Sequence, residues 1–245
     1  MNLFAEAFAW LFAPERFVGA DSLQVRIGEH LFYTFVSVLV AAVIAVPLGY
    51  LIGHTGKGRE IAVGVSGAAR ALPSFGLILL LVLLIGVTQK PLAAFIAFVL
   101  LAIPSILAGA YSGLEAIDRR VIDSARAVGM TEWQILWKVE IPLGLPLLIG
   151  GLRSAALQVV ATVTLAAYIG LGGVGLYIIS GLALRRFDQM LGAAIVIVVL
   201  ALVIDGLFAI VQRLIVPRGV AAGRDSDSRT KPVRPRAVAE SSAHQ

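Results

Sequence analysis

From Leu31 to Ile52, and again from Pro91 to Leu114, the chain carries no charged residue. Each run exceeds the roughly 20 residues a helix needs to cross a hydrocarbon core about 30 Å thick. Inside such a core the backbone N–H and C=O groups must bond to each other, and a helix closes those bonds within one segment. With 59% hydrophobic residues and a mean hydropathy of +0.92, the chain has more apolar surface than a single water-surrounded core can hide. The fold class expected is therefore an all-α polytopic membrane protein.

Three further segments complete the expected set of five transmembrane helices. Leu72 to Val87 is shorter and follows an apolar run broken only by Arg70, Ile141 to Leu165 contains Arg153, and Met190 to Ile215 contains Asp205. The opening "MNLFAEAFAWLFAP" has neither a basic leader nor a small-residue cleavage site, so residues 1–30 are expected as an extracytoplasmic, interfacial segment with Trp10 near the headgroups. Lys and Arg in loops set the direction. With the N-terminus outside, Lys57, Arg59, Arg70, Arg119, Arg120, Arg126 and Lys138 lie on the cytoplasmic side with Arg213 and the basic tail, while only Arg16, Arg26, Lys90, Arg185 and Arg186 face outward. A sixth span at Ala166 to Ala183, "AAYIGLGGVGLYIISGLA", would export the tail, so residues 166–183 are expected as a re-entrant or interfacial element. Residues 218–245, polar and proline-broken, are expected as a disordered basic cytoplasmic tail. The transmembrane domain is thus expected over residues 31–217.

Several chemistries are excluded. Cysteine is absent, which removes disulfides and thiolate sites. Gly170, Gly172 and Gly175 match G-x-G-x-x-G without a soluble βαβ unit around them, and "GHTGKGRE" has Gly58 where a phosphate loop needs Ser or Thr for magnesium. His30, His54 and His244 are far apart and show no metal spacing. No catalytic site, cofactor or metal is expected, and the net charge of +5 reflects loop orientation rather than nucleic-acid binding.

Between two apolar runs stands "DSARAVGMTEWQILWKVEIP", Asp123 to Pro142, within a charged segment spanning 115–142. Ile117, Val121, Ala125 and Val128 recur at helical spacing among charges, which predicts an amphipathic helix over 117–128. Gly129 suits the left-handed position that ends it, and Thr131 with Gln134 forms a capping box for a second helix. Pro142 is expected to begin the fourth span, where a missing backbone donor is harmless. Two short helices at an angle across a glycine make a knob that a soluble partner's groove can grip. A helix lying on the headgroups is the plainer alternative.

The segment resembles the EAA loop of ATP-binding-cassette (ABC) importer permeases, of the form E-A-A, three residues, G, nine residues, I-x-L-P. Asp123, Ser124 and Ala125, then Gly129, then Val139 to Pro142 keep that register, with Asp for Glu, Ser for Ala, and Val139 and Ile141 for Ile and Leu. "RALPSFGLILL" at Arg70, "GLRSA" at Gly151 and "AAYIGLGGVG" at Ala166 are similar to stretches in osmoprotectant permeases for glycine betaine, choline, carnitine or proline betaine. The resemblance implies a multi-pass subunit of a bacterial cell membrane with its C-terminus cytoplasmic. It also implies a second permease subunit, a separate ATPase docked on Asp123, Ser124, Ala125, Gly129, Ile141 and Pro142, and an extracytoplasmic solute-binding protein. Pro73 and Ser74 fall in a matching stretch and are expected as a hinge of the gate. Arg153 and Asp205 should lie at matching depth, roughly 12 to 16 Å from the cytoplasmic end of their spans. That permits an ion pair near the translocation path, the alternative being separate snorkelling to water. The rival readings are an ABC permease for a methionine-like amino acid or a sulfonate, and, from another class, a secondary transporter or channel. The latter normally needs several intramembrane ionisable groups or a repeated half.

Overall fold

The computed structural model describes residues 2–215, and every regular element among them is helical. The expected tail at 218–245 lies outside the described residues. In order the chain forms α1 (Leu3–Leu11), α2 (Leu23–Thr55), α3 (Arg59–Ala71), α4 (Ser74–Ile85), α5 (Lys90–Glu115), α6 (Arg119–Ala127), α7 (Glu132–Ile135), α8 (Ile141–Ala166), α9 (Gly175–Ala183) and α10 (Phe187–Ile215).

Four helical runs are long and apolar enough to cross a membrane, namely Leu23–Thr55, Val87–Glu115, Glu132–Ile169 and Phe187–Ile215. The span expected at Leu72 to Val87 differs. It is the 12-residue α4, roughly 18 Å long, which is too short to cross alone. The cause is local, because the ring of Pro73 disfavours a helical Leu72, and both residues are extended between α3 and α4. Pro142 also departs from expectation. The helix does not begin there but runs on from Glu132, and residues Leu136–Glu140 widen into a π-turn in which Ile141 N–H bonds back to Leu136 O. A proline inside a helix lacks an N–H and crowds the carbonyl four residues earlier, and a wider turn gives its ring more room.

The core is a sandwich of α2, α5 and α8. Parallel α2 and α5 bring Tyr33 to Phe98 and Gly53 to Leu114. Antiparallel α5 and α8 touch backbone to backbone. A Cβ added at Gly113 would lie 2.6 Å from Gly144 O, and one added at Gly151 would lie 2.6 Å from Ser105 O. Phe98, Ile106, Val159 and Val163 fill the middle with no exposed surface. Against α8 lies antiparallel α10, where Gln212 Nε2 donates to Pro146 O at 3.2 Å.

This arrangement divides the molecule into two ends. At one, Arg59 of α3 pairs with Glu115 of α5 at 3.2 Å, beside the end of α2. At the other, α5 begins at Lys90, so residues 56–89 carry the chain the full length of the bundle. The nine-residue α9, roughly 14 Å long, sits between the end of α8 and the start of α10.

Replacing Gly151 with Val is expected to force α5 and α8 apart at a cost of about 1–3 kcal/mol and to lower the thermal midpoint of the detergent-solubilised protein. Gly150→Ala, whose added Cβ meets nothing within 4 Å, should leave that midpoint unchanged. Equal midpoints for the two variants would show that the contact is not limiting.

Candidate functional site

The segment between α5 and α8 folds as a capped helix pair. Asp118 Oδ1 accepts from Arg120 N–H at 2.9 Å to open α6. At its far end Gly129 has φ +86, Gly129 N–H bonds to Arg126 O and Met130 N–H to Ala125 O, a Schellman closure. Thr131 and Gln134 exchange backbone and side-chain bonds at 3.0 and 3.4 Å, so the capping box opens α7. Arg126 clamps the turn from one side. Its Nε and Nη2 donate to Glu132 at 2.8 and 3.2 Å, and its Nη1 donates to Asp123 Oδ1 at 3.4 Å. The hydrogen bonds that Arg126 donates to Glu132 raise its guanidinium further above its ordinary range, so this charge is permanent. Asp123 and Ser124 are exposed, Ala125 is buried, and Val128, Trp133 and Trp137 stand out as exposed apolar side chains. Ile141 and Pro142 lie apart from this tip, half-buried in the continuous helix.

Two residues without a sequence motif tie this pair to the bundle. Glu140, only 7% exposed, accepts from His54 Nδ1 of α2 at 2.5 Å, and His54 Nε2 lies 3.8 Å from Glu132. A cleft of about 470 Å³ opens beside them, between Arg59, Glu115, Arg119 and Asp123. The link joins positions 86 apart, so no local spacing announces it.

Within the bundle, Arg153 and Asp205 form a forked pair, with Nε to Oδ1 at 2.5 Å and Nη2 to Oδ2 at 2.6 Å. Both donors meet both carboxylate oxygens, the geometry in which a guanidinium and a carboxylate neutralise each other best. Their side chains remain 36% and 29% exposed, so the pair faces outward from α8 and α10 and not into the α5–α8 contact. Pro73 and Ser74 stand at the break before α4, and no hydrogen bond among the described residues joins them to this pair. Phe75, next in sequence, packs edge-on against Tyr168 at 5.3 Å.

At the opposite end the glycine-rich loop closes on α2. Glu29 Oε2 accepts from Gly173 N–H and from Arg26 Nη1, each at 2.8 Å. Gly172 and Gly173 have φ +106 and +75, and a Cβ on Gly172 would lie 2.7 Å from that carboxylate. Beneath them His30 is fully buried, with Nε2 3.0 Å from Val160 O. The apparent dinucleotide pattern is thus a tight turn held by one carboxylate.

Residues 45–219 match the family described as the binding-protein-dependent transport system inner membrane component. The chain belongs to this family. Among its relatives is the glycine betaine/carnitine/choline transport system permease protein OpuCB of Bacillus subtilis (strain 168), 32% identical over 81% of this chain and 90% of that protein. The carnitine transport permease protein OpuCB of Listeria monocytogenes is 34% identical over 83% and 93%. The osmoprotectant import permease protein OsmW of Salmonella typhimurium is 34% identical over 78% and 91%. The fold is similar to that in a structure of the MetNI methionine ABC transporter in an inward-facing conformation, with a TM-score of 0.69, 23% identity, and 80% and 96% of the two chains covered. For an inner membrane component of this family, the four long apolar helices are the expected solvent-matched scaffold.

Changing either Arg153 or Asp205 to Ala is expected to lower the yield of folded membrane-inserted protein, because the survivor is a lone charge among spans. The exchange Arg153→Asp with Asp205→Arg should recover part of that yield, measured by size-exclusion profile. An exchange no better than the worse single variant would mean that the pair contributes nothing as a pair.

Proposed function

We propose that this permease takes up a quaternary-ammonium osmoprotectant, of the glycine betaine, choline, carnitine or proline betaine class, at the expense of ATP hydrolysed by a separate ATPase. The observation that carries the reading is the relatives. Permeases named for these solutes share about a third of their residues with this chain over most of both lengths. A second permease subunit completes the path, and an extracytoplasmic solute-binding protein delivers the solute. The chain itself acts as conduit and transmitter.

In this reading the α6–α7 knob is the coupling loop that the ATPase grips. Its form suits the task. The Arg126 clamp makes the turn at Gly129 stiff, the exposed Val128 and Trp133 offer apolar contact, and His54 with Glu140 passes displacement to α2. Asp123, Ser124 and Gly129 would meet the ATPase, Ala125 would seat α6 beneath them, and Ile141 and Pro142 carry the motion into α8. The widened turn at Leu136–Glu140 is the compliant point between knob and span.

We further infer five crossings, with the N-terminus outside and the C-terminus cytoplasmic. The parallel course of α2 and α5 supports this, because residues 56–89 must return across the bilayer between them. The 13 residues of α3 and 12 of α4 supply roughly 38 Å of helix, enough for a crossing broken at Pro73. Pro73 and Ser74 then form the hinge of a broken span, and Arg153 with Asp205 braces the path. Lys57 and Arg59 at the start of α3 and the basic residues of α6 lie on the cytoplasmic side by the positive-inside rule.

Expressed with its ATPase and binding protein in a bacterium lacking osmoprotectant uptake, the chain is expected to support accumulation of labelled glycine betaine. Gly129→Val should abolish that uptake and loosen co-purification of the ATPase while the protein still inserts. A β-branched residue at φ +86 costs about 1–2 kcal/mol even though a Cβ there meets no neighbour. Normal uptake and normal association would remove the coupling role from this turn.

Orientation is testable in the same cysteine-free chain. Leu184→Cys, exposed beside α9, should react with an impermeant maleimide on intact cells, and Val128→Cys only after the membrane is opened. The opposite pattern would invert the topology.

A further inference from the structure

Beside the foot of α6 lies an open groove of about 310 Å³ that neither the Arg126 clamp nor the link from His54 to Glu140 uses. Ile117, Val121, Leu143 and Leu147 give it an apolar wall, and Asp118 is its one charged side chain among the described residues. Val121 and Leu147, 42% and 41% exposed, leave that wall uncovered. Asp118 is exposed as well. One of its oxygens caps α6 by accepting from Arg120 N–H, and the carboxylate has no ionic partner within 4 Å among the described residues. Arg119, next in sequence, lines the separate cleft beside His54.

The place of the groove on α8 follows from the helical repeat. Pro146 and Arg153 turn toward α10, since Pro146 O accepts from Gln212 and Arg153 pairs with Asp205, whereas Gly144 and Gly151 turn toward α5. At 3.6 residues per turn Leu143 and Leu147 stand between those two directions, so the groove opens between α10 on one side and α5 with α6 on the other. The end of α10 lies beside it. Because α10 is antiparallel to α8, Ile215, three positions beyond Gln212, is level with Leu143, three positions before Pro146. The chain therefore leaves α10 at the edge of the groove, with residues 216–245 still to follow.

We propose that residues 216–220 of this chain, Val216-Pro217-Arg218-Gly219-Val220, occupy the groove and strap α10 to the foot of α6. The reach is sufficient, since Arg218 is three residues past Ile215, roughly 10 Å of extended chain, which matches the separation of packed neighbouring helices. The chemistry matches the walls. Val216, Pro217 and Val220 suit the apolar side, and Arg218 meets Asp118. Pro217 lacks an N–H and disfavours a helical residue before it, so the sequence turns away from the helix at the point where the groove begins. An ion pair at an exposed carboxylate adds little affinity, so the apolar contacts seat the strap and the pair sets its register. Tethering favours this segment over a free peptide or a second chain of similar pattern, because the tether keeps its effective concentration high. Seated there, the strap joins α10 to the movement of α6. That role rests on the reading of α6–α7 as the ATPase's grip, whereas the seating of the segment does not.

The test is disulfide cross-linking in the full, otherwise cysteine-free chain, in membranes without its ATPase. Val121→Cys with Val220→Cys is expected to form an intrachain disulfide, located by peptide mass mapping, in higher yield than Val121→Cys with Ala243→Cys. Arg218→Glu should lower that yield, and so should Asp118→Asn, which keeps the helix cap and removes the charge. Equal yields from positions 220 and 243 overturn the site, and yields unchanged by both charge variants overturn the pairing. Linkage between two chains gives the groove to a second copy, and an alkylation rate at Val121→Cys that is the same with Val216→Ser and Val220→Ser gives it to lipid or solvent. Either result overturns the occupant. In the reconstituted transporter, Val216→Ser with Val220→Ser should lower the solute taken up per ATP hydrolysed, and an unchanged ratio overturns the link to α10. A normal cross-link with no uptake by the wild type would instead count against the transport reading, so the two failures are told apart.

Discussion

The backbone contact between α5 and α8 is the constraint on which the other features rest. Lipid tails are as apolar as leucine, so two spans gain nothing by simply hiding apolar surface from each other and depend on close packing instead. Gly113 against Gly144 and Gly151 against Ser105 allow main chains to meet where any side chain would intervene. That contact also closes a loop. The chain leaving α5 at Glu115 must return to α8 within the α6–α7 segment, so the knob is pinned at both feet to the tightest part of the bundle. A push on the knob therefore acts on α5 and α8 together, and through His54 and Glu140 on α2.

Several charges are compensated locally. Arg126 bridges Asp123 and Glu132 across the Gly129 turn, Arg59 meets Glu115 at the foot of α5, and Arg26 meets Glu29 at the other end, where the same carboxylate holds Gly173. Between these ends Arg153 and Asp205 neutralise each other. In low dielectric such pairs are poor sources of net stability but costly to break singly, which makes them position markers more than glue. They set which helix faces meet, and they bound how far elements can slide before a charge is stranded.

Irregular backbone appears where the bundle has to bend or turn. The break at Leu72 and Pro73, the π-turn before Pro142 and the left-handed glycines at 129, 172 and 173 each sit beside a residue that forces or permits them. In hydrocarbon such breaks are tolerated only where protein covers the freed backbone groups. Ile78 and Val82 of α4 are buried against the bundle, consistent with a short helix that leans on its neighbours and does not span alone.

The helical class, the long apolar runs and the caps around Gly129 were legible in the residues, because each depends on local pattern. Hydrophobic length, a capping box and a left-handed glycine act within a few positions of chain. The depth match of Arg153 and Asp205 was legible for the same reason, since helical rise is constant, but their contact was not, because it depends on the rotation of two helices about their own axes. The reach of α4 and the continuity of α7 into α8 were misjudged from sequence, since a proline shows where a helix is perturbed but not whether its surroundings let it break or widen. His54 with Glu140 and Glu29 with Gly173 were decided by tertiary structure alone. Each joins side chains from separate elements or a turn between them, and only packing brings such positions within bonding distance.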